Sequence, residues 1–406
     1  MPFRIALSGL NAAQTDLSVT GNNIANSSTA GFKKARTEFS DVFAVSFEGI
    51  GDIATGNGVS VSSVSQNFSQ GNIDFTERNL DIAVSGQGFF VLNDASGQSF
   101  TRAGAFHIDR DGYVVNQASQ NLQVFPAISN GGFNTGVLTD LQLSTGDGPP
   151  SATSQITATL NLSASDSQPT TALFDPNDPT SYNNSTSTVI YDSLGTAHST
   201  TLYYVKSAVA NQWDTYQYID NNPVASGGVS PITITFNQDG TINGPTNVAY
   251  DAVPSGTGAL PIQVSLSYAD TTQFGSPFAV NGLSQNGYTT GRLSGIDIDS
   301  EGIVFARYTN GNSNALGKVA LAGFANVQGL KQQGDSNWAQ SFASGDLVLG
   351  EANTASFGLI QSGALEAANV DIAESLVNLI TAQRNFQANA QVISAADTVT
   401  QTIINI

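Results

Sequence analysis

The chain has 406 residues, of which only 11% are charged, with a formal net charge of -19 and no cysteine. Its length suffices for roughly two or three domains, and without cysteine neither disulfides nor thiolate metal sites can form. The acidic balance argues against nucleic-acid binding, which needs clustered Lys and Arg, and no run of about 18 apolar residues is present to span a bilayer.

The N-terminal segment has the spacing of an amphipathic helix. Apolar or small side chains recur every three or four residues, with Leu10, Leu17 and Ile24 as the largest members of the stripe. Gly9 and Gly21 interrupt this stripe, so the isolated helix would be marginal, because helix nucleation is costly. We expect it to order only against a partner.

The C-terminal end predicts a second, longer helix. One stripe at three- and four-residue spacing is apolar except at Gln383. Its large members are Ile372, Leu376, Leu379, Phe386, Ile393, Val399 and Ile403. Asp371 and Glu374 near its start suit a helix N-terminus. Two interpretations remain open: the two helices are core elements of one globular domain, or they pair with each other as a coiled coil.

The sequence between the helices indicates two β regions. Residues 28–70 are rich in Gly, Ser, Thr and Asn, and their small basic cluster of Lys33, Lys34 and Arg36 is typical of a solvated face. From Gly71 onward, short apolar runs alternate with Gly, Asn and Asp turns, as in antiparallel hairpins. A shift towards Ser and Thr after residue 146 marks a domain boundary, and the earlier pattern resumes near residue 285.

The predicted fold class is therefore mixed α+β. An α-helical terminal coiled-coil domain is formed by both chain ends, followed by mainly antiparallel β domains, with the outer one inserted into the inner one. The predicted boundaries are 1–27 and 365–406 for the terminal domain, 28–70 and 355–364 for linker segments, 71–145 and 285–354 for the inner β domain, and 146–284 for the inserted outer β domain.

The sequence contains no recognisable pattern of catalytic or metal-binding residues. The two histidines, His107 and His198, lie in predicted strands or turns without metal-ligand or triad spacing. Two Asp-rich turns, at 109–112 and 297–302, resemble part of a calcium loop, but Tyr308 occupies the last ligand position of the second. Both fit hairpin turns better. We expect no enzyme activity, no catalytic or cofactor-binding residue, no metal and no small-molecule substrate.

Several stretches of the sequence carry a family resemblance. They are residues 6–14, 21–26, 29–33, 79–90, 100–104, 363–371 and 383–389. In these stretches the chain closely resembles the flagellar rod and hook axial proteins, whereas residues from about 144 to 285 match nothing recognisable. Rod proteins of this family lack a large inserted domain, so the insert favours a hook-type subunit, and a straight, stiff rod-type subunit is the alternative. A secreted β-rich adhesin or enzyme that borrows the export signal is a more distant alternative.

The resemblance implies a structural subunit that polymerises with itself into a curved, flexible hollow tube. This tube transmits motor torque to the filament as a universal joint, with the terminal helices packed around its channel. The implied partners are further copies of the chain, the flagellar rod, the hook cap, the hook–filament junction proteins and the flagellar export apparatus. The implied location is the extracellular hook and basal body, reached without a cleaved signal peptide.

Overall fold

Two long helices, one at each end of the chain, flank a succession of β-strands in the sequence. Helix α1 spans Pro2–Ala25 and helix α2 spans Ile372–Ile404. The structure is a computed structural model that describes residues 2–42, 56–95, 97–128, 131–143, 146–354 and 356–404. Terminal helices with mainly antiparallel β-structure between them confirm the predicted mixed α+β class. Neither described helix combines the length and hydropathy needed to cross a bilayer.

The end of α1 and the start of α2 are held by side-chain hydrogen bonds to the backbone. At the start of α2, the Asp371 carboxylate accepts hydrogen bonds from the amides of Ala373 and Glu374 at 2.8 and 3.1 Å, which caps the helix. Near the end of α1, the Asn23 side chain donates to the Ala35 carbonyl at 2.7 Å and accepts from the Ala35 amide at 2.9 Å. The exit of α1 is thereby attached to the first strand.

The chain divides into two compact units. Unit 1 comprises Met1–Leu143, Gly295–Ala306 and Ser313–Ile406, and unit 2 comprises Ser144–Ser294 and Arg307–Asn312. The four-part division predicted from the sequence, with an outer domain inserted into an inner one, is finer than this and stays a prediction.

The strands alternate with short turns along the whole middle of the chain. Those before unit 2 are β1 (Ala35–Asp41), β2 (Val59–Gln66), β3 (Ile73–Phe75), β4 (Ile82–Ser85), β5 (Phe89–Asp94), β6 (Gly97–Thr101), β7 (His107–Ile108), β8 (Val114–Val115), β9 (Asn121–Pro126) and β10 (Thr139–Asp140). Those within unit 2 are β11 (Gln155–Asn161), β12 (Asn184–Tyr191), β13 (Ala197–Lys206), β14 (Gln212–Ile219), β15 (Asn222–Val224), β16 (Ile232–Phe236), β17 (Ile242–Gly244), β18 (Asn247–Ala249), β19 (Ser265–Ser267) and β20 (Ala279–Gln285). The remaining strands are β21 (Leu293–Ile298), β22 (Ile303–Tyr308), β23 (Ser313–Phe324), β24 (Lys331–Gly334), β25 (Asn337–Ala339), β26 (Leu347–Glu351), β27 (Leu359–Ser362) and β28 (Ala364–Glu366).

Strand β23 lies at the centre of the large sheet of unit 1. The sheet runs in the order β21–β22–β23–β9–β5–β6–β25–β24, and β23 also pairs with β5 and β26. Successive side chains of a strand point to opposite faces, and accordingly Val319 and Leu321 enter one apolar core while Ala320 and Ala322 enter another. All four are fully buried. The near-continuous apolar run of β23 therefore reflects a strand that is covered on both faces.

Unit 2 is built from two sheets around one core. One sheet has the order β12–β13–β14–β16–β17 and the other β18–β19–β11–β20, and their pairings are antiparallel except between β11 and β19. Strand β14 alternates strictly, with Trp213, Thr215, Gln217 and Ile219 pointing inward. This alternation is the pattern of a strand with one buried face, and it agrees with the β region that the sequence predicts here.

A two-stranded hairpin lies in the segment predicted as a linker. Strands β1 and β2 pair antiparallel from Ala35↔Gln66 to Asp41↔Val59, and the Val59 amide donates to Ser8 Oγ at 3.2 Å, which attaches the hairpin to α1. The expectation of a solvated basic cluster is wrong for Lys33, which is only 2% exposed. Its ammonium is buried because it has an anionic partner, described below.

Candidate assembly site

The two terminal helices pack against each other through small side chains. Gly9 on α1 faces Asn389 on α2, and a Cβ added at Gly9 would lie 2.5 Å from Asn389 Oδ1. The end of α1 lies beside the beginning of α2, so the helices run antiparallel. The buried side chains of the pair are small or polar, namely Ala6, Ala12, Ala13, Thr20, Asn23, Ser375 and Ala382. Small side chains let the two backbones approach closely.

The large side chains predicted for helix packing are only partly covered within one chain. Leu10, Leu17, Ile24, Leu379, Phe386 and Ile393 are half-buried. Ile372, Leu376 and Val399 are 51%, 45% and 58% exposed. Ile403 lies in α2, but its side chain is outside the described residues. The intramolecular contact therefore accounts for part of the predicted stripe, and a packing role for the whole set stays a prediction.

Sequence reasoning missed Ser375 and Ala382, two buried residues of α2. They are seven residues apart and buried to 8% and 1% exposure, so they lie on one helical face, shifted from the apolar stripe. The signal that would have found them is a heptad of small residues, which a search for large apolar side chains passes over.

Large apolar side chains are exposed on both helices. They are Phe3, Ile5 and Leu7 on α1, and Ile372, Leu376, Val377, Ile380, Val392 and Val399 on α2, here called the exposed terminal set. Single exposed apolar residues are ordinary on protein surfaces. So many on two adjacent helices are typical of a surface that another protein chain covers.

A buried ion cluster lies where the chain ends meet the β-structure of unit 1. Lys33 Nζ is 2.5 Å from Glu366 Oε1, and Arg102 Nη1 is 3.2 Å from Glu366 Oε2. The three side chains, here called the Glu366 cluster, are at most 6% exposed. Burial lowers the pKa of the Lys33 ammonium and of the Arg102 guanidinium, and the Glu366 carboxylate opposes both effects. One carboxylate therefore holds two desolvated cations.

The backbone around Glu366 completes the cluster. The Gly71 amide donates to Glu366 Oε1 at 2.9 Å, and the Gly31 amide donates to the Glu366 carbonyl at 2.7 Å. Gly31 has a φ of +71°, and a Cβ there would lie 2.6 Å from the carbonyl carbon of Arg102. Glycine is therefore required at position 31 both for its conformation and for its close approach to the backbone.

Sequence reasoning did not identify the Glu366 cluster. Lys33, Arg102 and Glu366 each belong to a stretch that carries the family resemblance, but hundreds of residues separate the carboxylate from its cations. Local periodicity cannot reveal such a pairing. Lys33 and Arg102 each lie two residues from a glycine, which was the available signal, but the small basic cluster of Lys33, Lys34 and Arg36 favoured a solvated face instead.

The two histidines do not form a metal site. His107 is exposed on β7, and His198 in unit 2 is buried between Asp220 and Asp192. Within the described residues, no group of three or more His, Cys, Asp or Glu side chains is placed to hold a metal ion. The candidate site is accordingly a packing surface and an ion cluster.

Four family models match the chain in succession. They are "Flagella basal body rod protein" at residues 3–33, "Flagellar hook protein FlgE/F/G D1 domain" at 83–156, "Flagellar basal body protein FlaE D2 domain" at 158–288, and "Flagellar basal body rod FlgEFG protein C-terminal" at 361–406. The D2 match covers most of the region in which the sequence analysis found no recognisable resemblance.

Relatives match over the whole length of the chain. The flagellar hook protein of Salmonella typhimurium is 37% identical, and that of Escherichia coli strain K12 is 38% identical, with complete coverage of both chains in each case. The chain belongs to the flagellar hook protein family. Full-length similarity to hook proteins supports the hook-type subunit over the rod-type alternative.

A solved structure of a hook protein has a similar fold. The flagellar hook protein FlgE2 of Helicobacter pylori aligns with a TM-score of 0.54 at 15% identity, covering 72% of this hook-family chain and 100% of that one. At this identity the likeness concerns the fold alone.

Proposed function

We propose that this chain is a structural subunit of the bacterial flagellar hook and polymerises with copies of itself into a curved, flexible hollow tube. In this tube it transmits motor torque to the filament as a universal joint. The observation that carries the proposal is the complete-length similarity to flagellar hook proteins, together with the exposed terminal set on two helices that already pack together. We propose no catalytic role for it.

The terminal helices supply the main contacts between copies. Ordering each residue costs about 1–2 kcal/mol, and burial of apolar surface returns about 25 cal/mol per Å². The helix pair buries mainly small side chains within one chain, so much of the compensating burial has to come from neighbouring copies. Head-to-tail contacts that do not close produce open helical polymers, which is the assembly required of a tube.

Unit 2 suits contacts that slide. Between residues 111 and 290 the only Lys or Arg is Lys206, while aspartates recur throughout. Like-charged, polar surfaces repel and stay hydrated, and weak, hydrated contacts exchange more readily than dry apolar ones. We therefore assign the outer, flexible contacts of the tube to this acidic unit.

The remaining partners and the location follow from the proposed role. The subunit would contact the rod, the hook cap and the hook–filament junction proteins, and the flagellar export apparatus would deliver it without removing a signal peptide. Its final location would be the extracellular hook. Mass spectrometry of the chain from isolated hooks tests the export step, since an intact N-terminus is expected and a trimmed one contradicts uncleaved export.

Electron microscopy of the purified chain tests the assembly. The full-length chain is expected to form curved tubes, and the chain that lacks residues 1–27 and 365–406 is expected to form none. Straight tubes would favour the rod-type alternative, and the absence of tubes under any condition would contradict the proposal.

A point variant removes the objection that deletion merely unfolds the chain. Val399→Asp places a charge on a side chain that is 58% exposed in the single chain, so the chain should stay folded and lose assembly. Thr398→Asp adds the same charge to the neighbouring exposed position and is the control. Equal assembly of both variants would argue against the apolar contact.

A further inference from the structure

The Glu366 cluster joins parts of unit 1 that are distant in sequence. Lys33 follows the exit of α1, Arg102 follows β6, and Glu366 ends β28 shortly before α2 begins. The carboxylate contacts both cations and also the Gly71 amide. Until Glu366 docks against Lys33 and Arg102, the site would therefore contain two cations without an anion.

Two uncompensated cations prevent the site from closing, because a desolvated charge without a partner is strongly unfavourable. Lys33 Nζ also donates to the Ser69 carbonyl at 2.9 Å, and Arg102 donates to the Gly86 carbonyl at 2.7 Å. These neutral carbonyls orient the cations but do not neutralise them. Glu366 is the only anion among the contacts that the structure gives for Lys33 and Arg102 within its described residues.

The same C-terminal segment also binds the backbone on both sides of the cluster. The Lys34 amide donates to Asn369 Oδ1 at 2.7 Å, and Asn369 Nδ2 donates to the carbonyls of Asn67 and Ser69 at 2.8 and 3.0 Å. The Ala367 amide donates to the Asn72 carbonyl at 2.8 Å. Residues 366–369 are thus bonded both to the segment that leaves α1 and to the segment that precedes β3.

We propose that Glu366 is a clasp that makes the ordering of residues 31–34 conditional on the docking of residues 366–369. The exit of α1 and the approach to α2 then become ordered together or not at all. In a chain whose residues 366–369 are not docked, neither the exit of α1 nor the approach to α2 would be held in its final position. This conclusion depends on the contacts of unit 1 alone and holds whatever the chain assembles into.

Coupling of this kind is reciprocal, because a free-energy coupling between two segments acts equally in both directions. Hydrogen–deuterium exchange of the full-length chain measures each segment separately. Lys33→Met is expected to accelerate exchange of the amides in 366–369 at least tenfold, and Glu366→Gln is expected to do the same for 31–34. Strand β5, whose residues lie in both apolar cores of unit 1, is expected to keep its protection.

A neighbouring pair of residues provides a matched control. Lys34 Nζ and Glu374 Oε2 lie 3.2 Å apart and connect the same two chain ends, but the two side chains are 31% and 60% exposed. Exposed ion pairs contribute little to stability. Lys34→Met and Glu374→Gln should therefore leave exchange in both segments within about twofold of the parent chain.

Either of two results would overturn the proposal. Faster amide exchange only in the segment that carries the substitution would show that the two ends order independently. Equal changes in exchange on substituting the buried pair and the exposed pair would contradict the proposal as well. If Glu366→Gln abolishes folding, Arg102→Met replaces it, because it leaves the pair of Lys33 with Glu366 intact. This milder variant is expected to loosen 31–34 and 366–369 together, and loosening of only one would contradict the clasp.

Discussion

His198 Nδ1 lies 2.5 Å from Asp220 Oδ2, and the opposite ring nitrogen, Nε2, lies 3.3 Å from Asp192 Oδ2. A neutral imidazole has only one N–H, so both nitrogens can donate only when the ring is protonated. The two carboxylates raise the pKa of His198 against the opposing effect of burial. Hydrogen bonds, with Thr257 first, hold the pKa of Asp192 below its ordinary value, and His198 lowers that of Asp220.

The stability of unit 2 should therefore decline as the pH rises above neutrality. A histidine whose folded-state pKa is raised stabilises the fold fully below its unfolded pKa of about 6.5, and this contribution is lost as the pH rises through the folded pKa. Denaturant titrations that follow the buried Trp213 should show a falling midpoint over this range. His198→Gln should lack the fall, and an unchanged slope in this variant would show that another group is responsible.

The two aspartates predict the opposite trend in acid. Their lowered pKa values stabilise the folded state above the unfolded pKa of about 3.9, and this contribution disappears as the pH falls through the folded values.

Asp220→Asn should also lower the pKa of His198, because it removes the nearer carboxylate. Nuclear magnetic resonance titration of the imidazole measures this directly, and an unshifted pKa would contradict the assigned pairing.

Gly31→Ala should destabilise unit 1 by about 3 kcal/mol or more. A left-handed conformation alone costs an alanine about 1–2 kcal/mol, and the added Cβ would also collide with the backbone of Arg102 and Ala103. Gly131→Ala is the matched control, since its φ of +82° is similar but the space around it is open. Equal losses, measured by denaturant unfolding followed through Trp338, would show that the collision is relieved without cost.

Ala382→Leu should weaken the pairing of α1 with α2. Ala382 is 1% exposed, and a larger side chain in a close-packed contact typically costs about 1–3 kcal/mol. The helical circular dichroism signal should melt at a lower temperature in this variant. Val377→Leu adds a methylene group where the side chain is 62% exposed and should leave melting unchanged. If Ala382→Leu also leaves the melting temperature unchanged, the two helices can move apart to make room for the larger side chain without a loss of stability.

Deletion of residues 146–284 should leave a tube that assembles but bends poorly. The terminal helices, to which we assign the main contacts, are untouched by this deletion, whereas the acidic sliding surface is lost. Electron micrographs of tubes from the parent and the deleted chain give their curvature. Unchanged curvature would show that unit 2 is not needed for bending.

The sequence predicted the elements that depend on local periodicity. The stripes from Leu10 to Ile24 and from Ile372 to Val399 indicated two terminal helices, and the structure has them. Short apolar runs between Gly, Asn and Asp turns likewise predicted strands after Gly71, as observed for β4 and β5. In each case a single element contains the whole signal.

The sequence did not predict what distant residues do together. Lys33 was assigned to a solvated face because its partner, Glu366, lies at the other end of the chain. Ser375 and Ala382 were overlooked because a close helix contact selects for small side chains, which have no hydrophobic signature. Ile372 and Leu376 are exposed in the single chain. Whether another chain covers them is not specified by the periodicity of the sequence.

Strand β23 has a consequence for how unit 1 finds its correct alignment. Side chains of two sizes alternate along it, with Val319 and Leu321 on one face and Ala320 and Ala322 on the other. A slip by one residue would exchange the faces, leaving voids in one core and crowding the other. A one-residue slip is thus unfavourable in both cores, so the alternation of side-chain size along β23 itself helps to specify its register.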